Sequence, residues 1–93
     1  MRKIETEMNR AITQGYNWSS ANTKVHVEPT NGWRYVYLHG HHIATVDTDN
    51  EVDPNLETLA DWPTNTTKSR LRALGVDVYT KAGTTYVNGS AIA

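Results

Sequence analysis

The sequence predicts an α+β fold, because two hydrophobic periodicities occupy separate parts of the chain. Apolar residues recur at helical spacing in residues 2–14, whereas apolar and polar residues alternate in residues 23–28 and 33–45. We therefore expect an antiparallel sheet of three or four strands between residues 23 and 60, with two helices on one face and a C-terminal β-hairpin. The length of 93 residues predicts a single domain.

Composition excludes several classes of protein. The chain has no cysteine, so it forms neither disulfides nor thiolate metal sites, and a reducing cytoplasm is the expected compartment. The N-terminus lacks an apolar signal segment, and no stretch is apolar enough to predict a membrane span. The net charge of -1 gives the molecule no long-range attraction to polyanions, so any recognition of them must be local.

The first third of the chain predicts a helix followed by a strand. Apolar residues at helical spacing place an amphipathic helix at residues 2–14, with Gly15 as its C-terminal stop. Residues 17–22 are polar and predict a loop. Alternation then predicts a strand at residues 23–28, which ends at the turn-forming residues 29–32.

Residues 33–45 predict a β-hairpin whose two faces differ in chemistry. If the chain turns at Gly40-His41, the first face suits the core and consists of Arg34, Val36, Leu38, Ile43 and Thr45. The second face carries the aromatic and imidazole side chains, and consists of Trp33, Tyr35, Tyr37, His39, His42 and Ala44. The second face is therefore a candidate functional surface.

The acidic segment, residues 47–57, has two interpretations. It contains Pro54, which predicts a loop before a further strand at residues 56–60. Alternatively, a short helix near residues 56–60, a turn at residues 61–63, a second helix and a hairpin would follow the order of a winged helix-turn-helix. The wing would then be residues 80–84.

The last third of the chain predicts a helix and a hairpin. Thr64 is a suitable N-cap and Gly75 a suitable stop, so the helix should span residues 65–74. The hairpin should pair residues 76–79 with residues 84–87.

Several segments resemble small uncharacterised proteins of tailed bacteriophages, of the podovirus-like accessory type. The resemblance covers most of the chain and rests on Asn17-Trp18, Asn22-Thr23, Tyr37-Leu38-His39-Gly40, Ile43-Ala44 and residues 62–74. Residues 47–57 match the pattern least. The resemblance implies a phage origin and a setting in the host cytoplasm, and it implies no reaction.

The sequence predicts neither a metal site nor an enzyme. His39 and His42 would be cross-strand neighbours but His41 would not, and two imidazoles are fewer than the ligands of a zinc site. The acidic segment resembles a calcium loop but has Val52 in place of the glycine and Thr58 in place of the bidentate glutamate. Phosphate-loop, nucleophile-elbow and HExxH signatures are absent, so we expect a protein that acts by binding, without a cofactor.

The predicted helix at residues 65–74 is a candidate nucleic-acid contact. Its periodicity places Thr67, Leu71 and Leu74 on one side and polar donors opposite. The expected nucleic-acid-binding residues are Asn65, Lys68, Ser69, Arg70 and Arg72. A helix N-terminus and clustered cations suit phosphate, so nucleic acid is the first expected partner.

The aromatic row of the first hairpin is the second candidate surface. Rings on one sheet face resemble in kind the platforms on which single-stranded bases stack. The expected stacking or partner residues are Trp33, Tyr35, Tyr37, His39 and His42. The same rings could anchor a protein, because Trp and Tyr dominate interface hot spots. The alternative function is therefore an inhibitor or adaptor that docks on a host defence or transcription protein through this face and the acidic segment.

Overall fold

The computed structural model describes residues 1–92. Within them the chain forms three helices and eight strands, and the strands form two antiparallel sheets. The helices are α1 (Lys3–Gln14), α2 (Leu56–Asp61) and α3 (Asn65–Ala73). The strands are β1 (Trp18–Ser20), β2 (Thr23–Val27), β3 (Arg34–Leu38), β4 (His41–Val46), β5 (Val52–Pro54), β6 (Val78–Lys81), β7 (Thr84–Val87) and β8 (Ser90–Ala91). The α+β class is confirmed, and the sheets have more strands than expected.

The larger sheet is a meander of β1 to β5, in which each strand pairs with the next along the chain. The expected loop at residues 17–22 is wrong, because β1 pairs with β2 across a two-residue turn. Ala21 in that turn has a φ of 49°, a left-handed conformation for which alanine gives no sequence signal. The polar composition of β1 also concealed the strand.

The expected strand at residues 56–60 is also wrong, because these residues lie in α2. The side chain of Asn55 caps this helix by accepting a hydrogen bond from the main-chain N–H of Thr58 at 3.1 Å. The strand lies earlier, inside the acidic segment, as β5. Proline is compatible with this strand because β5 is at the edge of the sheet and Pro54 is its last residue.

The hydrophobic core lies between one face of the larger sheet and the helices. Its largest fully buried apolar side chains are Met8, Val25, Val36, Ile43, Val46, Leu59, Leu71 and Val78. Arg34 also points to this face, where its Nε donates to the carbonyl of Ile12 at 3.0 Å and its Nη1 to that of Asp47 at 2.8 Å. These bonds join α1 to the end of β4.

The β3–β4 hairpin turns one residue earlier than expected. His39 and Gly40 form the turn, with φ values of 51° and 80°, which are typical of a type I′ hairpin turn. The strand register shifts between Val36 and Tyr37, so the pairing skips Ile43. Because of this bulge, Ile43 and Ala44 are both buried.

The bulge corrects the two-face assignment after Ile43. Ala44 lies in the core, whereas Thr45 pairs with Tyr35 on the opposite face of the sheet. The core-face placement of Arg34, Val36 and Leu38 is confirmed.

The expected helices and C-terminal hairpin are confirmed with small changes in their bounds. α1 ends at Gln14, with Gly15 as its C-cap at a φ of 72°. Thr64 caps α3 by accepting from the N–H of Thr67 at 3.1 Å. β8 extends the hairpin to a three-stranded sheet through a turn at Asn88-Gly89. None of the helices in residues 1–92 has the length and apolar character needed to cross a lipid bilayer.

Candidate partner-binding surface

The outer face of the larger sheet, opposite the helices, carries the candidate site. The strand register arranges its side chains in cross-strand rows. The first row is Ser19, Lys24, Tyr37 and His42, and the second is His26, Tyr35, Thr45 and Asp53. Period-two alternation along each strand places these residues on the face that the core does not use.

Four rings on this surface, which we call the aromatic face, contact one another across the strands. They are His26, Tyr35, Tyr37 and His42. The ring centroids of Tyr35 and Tyr37 lie 5.7 Å and 5.6 Å from that of His42, and His26 stacks on Tyr35 at 6.5 Å. Lys24 Nζ lies 5.8 Å from the ring centroid of Tyr37. All four rings are half-buried, and they pack on one another.

His42 also connects the aromatic face to the start of α2. Its Nε2 lies 2.9 Å from Thr45 Oγ1, and its Nδ1 lies 3.4 Å from the side-chain nitrogen of Asn55. The amide nitrogen can only donate, so these contacts fit the His42 tautomer that accepts at Nδ1 and donates from Nε2 to Thr45 Oγ1. Asn55 therefore caps α2 and orients His42 at the same time.

Two of the expected surface residues occupy different positions from the rest. Trp33 precedes β3 at the edge of the aromatic face and is 41% exposed. The predicted strand position of His39 is wrong, because His39 lies in the turn between β3 and β4. It lines a separate apolar pocket of about 160 Å³, beside His41 and Trp62, whose rings stack at 4.8 Å.

Three carboxylates, which we call the acidic rim, border the aromatic face. They are Asp47, Glu51 and Asp53, and Asp53 pairs with Thr45 in the second row. Asp47 Oδ1 accepts hydrogen bonds from the main-chain N–H groups of Asp49 and Glu51, each at 2.9 Å. These bonds order the turn between β4 and β5, so the acidic segment is a structured border of the face.

The expected nucleic-acid-binding residues of α3 do not form a common exposed surface. The placement of Lys68 opposite the core is wrong, since Lys68 and Arg70 are only 9% and 3% exposed. Lys68 Nζ donates to Thr80 Oγ1 on the C-terminal hairpin. Asn65 and Arg72 remain exposed, and Arg72 Nε donates to the carbonyl of Val78 at 2.7 Å.

Arg70 and Ser69 are instead part of a buried network with α1. Arg70 Nη1 and Ser69 Oγ donate to Glu5 Oε2 at 2.8 Å and 2.6 Å. Burial raises the pKa of Glu5, but hydrogen bonds from Ser69, Arg70 and the N–H of Arg2, with the charge of Arg70, outweigh it. The pKa of Glu5 is therefore lowered overall, and the ion pair joins α1 to α3.

The order α2, α3 and hairpin matches the winged helix-turn-helix alternative, but α3 is not free as a recognition helix. It contacts α1, β4 and β6. Only part of its surface reaches solvent, because three neighbouring elements cover the rest.

A comparison with models of protein families identifies the family of this chain. The model of the Kyanoviridae Gp96 protein matches residues 1–93. The chain belongs to this phage family. No curated protein and no solved structure matches it significantly. The phage origin implied by the sequence resemblance is therefore confirmed.

Proposed function

We propose that this phage protein acts by binding, without catalysis, and that it docks on a host protein through the aromatic face and the acidic rim. The single observation that carries the proposal is a cluster of four mutually packed rings on a sheet face opposite the helices. Rigid aromatic side chains contribute much contact area and lose little conformational entropy on binding, which is why they dominate protein interfaces.

The charges on the two candidate surfaces favour this function. The cations expected to contact nucleic acid are largely engaged within the fold, because Lys68 bonds to Thr80 and Arg70 to Glu5. The aromatic face instead adjoins the acidic rim, which would repel a phosphate backbone. We place the interaction in the host cytoplasm, with a defence or transcription component as the class of partner.

Nucleic-acid binding is a second candidate function, and one observation at the smaller sheet, beside Arg72 of α3, favours it. Tyr79 and Tyr86 stack at 5.1 Å on the outer face of the smaller sheet, where Lys81 is also exposed and Arg72 contacts β6. Two rings and two cations could contact a single strand. Such binding would weaken steeply as salt increases.

Paired tyrosine variants test the two functions against each other. Tagged parent protein, Tyr35→Ser with Tyr37→Ser, and Tyr79→Ser with Tyr86→Ser are used to capture partners from host lysate, with and without nuclease. Both double variants remove two hydroxyphenyl rings from an outer sheet face. We expect one stoichiometric host protein that resists nuclease, is retained by the Tyr79/Tyr86 variant and is lost from the Tyr35/Tyr37 variant.

A second variant guards against loss of folding. Thr45→Lys leaves both tyrosines in place and extends a long side chain over the aromatic face, so it should also abolish capture while circular dichroism shows a folded protein. Capture unaffected by both face variants would overturn docking on this face. Capture that nuclease or the Tyr79/Tyr86 change abolishes would instead support nucleic-acid binding.

A further inference from the structure

A cleft of about 420 Å³ opens between the aromatic face and the acidic rim. Its lining includes the exposed ring of Trp33 and the half-buried ring of Tyr35. The acidic rim also lines it, and the hydrogen bonds that Asp47 accepts join the backbone of that segment. Tyr35 and Asp53 flank Thr45 in the second row, so aromatic rings and carboxylates line the same cleft.

The carboxylates of this cleft have no cationic partner within residues 1–92. The one salt bridge in that range joins Arg70 to Glu5, and no lysine or arginine lines the cleft. Arg34 lies on the core side, where it donates to the main-chain oxygens of Ile12 and Asp47 and to no rim carboxylate. In the same range no group of His, Asp and Glu side chains is arranged to hold a metal ion.

We propose that this cleft binds an arginine side chain from a basic segment of the docked protein, an inference that rests on the proposed function. A guanidinium stacks on aromatic rings through its flat faces and donates paired hydrogen bonds to carboxylates from its edge. The rings and the carboxylates that line the cleft offer these two kinds of contact at once. A metal ion would use the carboxylates alone.

Short peptides test this chemistry without the partner. The probes are acetyl-Gly-Arg-Arg-Gly-amide, the same peptide with citrulline in place of arginine, and the same peptide with lysine. Citrulline keeps the shape of arginine and lacks its charge. In NMR titrations we expect the arginine peptide to shift the indole resonance of Trp33 and the amides of residues 47–53, and the citrulline peptide to shift neither. Equal shifts from citrulline, or equal affinity for lysine, would overturn the proposal.

Charge-matched variants locate the site. Glu51→Gln with Asp53→Asn should weaken arginine-peptide binding by about fivefold or more, because two exposed ion pairs are lost. The control, Glu57→Gln with Asp61→Asn, makes the same charge change on exposed residues of α2 that do not line the cleft. It should change the affinity by less than about twofold. Equal weakening in both variants would contradict a specific site.

The same variants separate this inference from the proposed function. If the Tyr35/Tyr37 variant loses the host protein and Glu51→Gln with Asp53→Asn retains it at full affinity, docking on the face stands and the arginine site falls. If the arginine peptide binds as expected but no face variant affects capture of the host protein, the cleft binds arginine and docking on the aromatic face falls.

Discussion

At the scale of single residues, Arg70 shows that a charged side chain in a basic helix need not be exposed to a partner. It lies in a helix that is rich in cations, yet its guanidinium is buried against Glu5, a residue 65 positions earlier in the chain. A partner at that sequence distance leaves no local pattern, so the exposed basic face was predicted and the buried pair was not. The tyrosines on either side of Val36 were predictable, because strand alternation is local.

The Glu5–Arg70 pair gives a stability prediction. Glu5→Gln leaves a buried guanidinium without its carboxylate, so it should lower the free energy of unfolding at pH 7 by about 3–5 kcal/mol. The pKa of Glu5 is lowered in the folded state, so the contribution of the pair is present above the unfolded pKa and is lost as pH falls through the folded value. In urea denaturation at a series of pH values, the difference between parent and variant should therefore shrink on acidification. Glu57→Gln, at an exposed residue of α2, is the control, and a difference independent of pH would contradict this account.

At the scale of elements, the position of the β3–β4 turn determines whether a β-branched residue in place of His39 raises or lowers the free energy of unfolding. His39 has a φ of 51°, which a β-branched residue tolerates poorly. His39→Val should therefore lower the free energy of unfolding by about 1–2 kcal/mol, and His39→Asn should raise it slightly, since Asn-Gly suits a type I′ turn. Urea denaturation measures both effects. If the chain turned at Gly40-His41 instead, His39 would be a strand residue and valine would be neutral or stabilising.

The structural features that the sequence pattern did not predict were missed for identifiable physical reasons. The bulge at Ile43 places Ile43 and the adjacent Ala44 both in the core, and strand alternation, which assigns neighbours to opposite faces, gives no sign of it. α2 has only six residues, too few for a helical periodicity to stand out, although Asn55 is a typical N-cap. The turn before β8 was predictable from Asn88-Gly89, a strong hairpin signal.

At the scale of the whole molecule, the helices and the outer sheet face have different roles. The helices cover one face of the larger sheet and join it to the smaller sheet through contacts such as Lys68 with Thr80. The other face carries rings that pack on one another, with the acidic rim beside them. The cations Lys68 and Arg70 of α3 bond within the fold, whereas the aromatic face and the acidic rim are the surface on which we propose docking.

The most direct test of the docking surface is to map the captured partner on the isotope-labelled protein. When the purified host protein is titrated in, we expect amide shifts concentrated in residues 24–26, 35–37 and 42–53, with α3 and the smaller sheet unchanged. Shifts concentrated in residues 65–73 or 78–91, with the outer face of the larger sheet unchanged, would contradict the account.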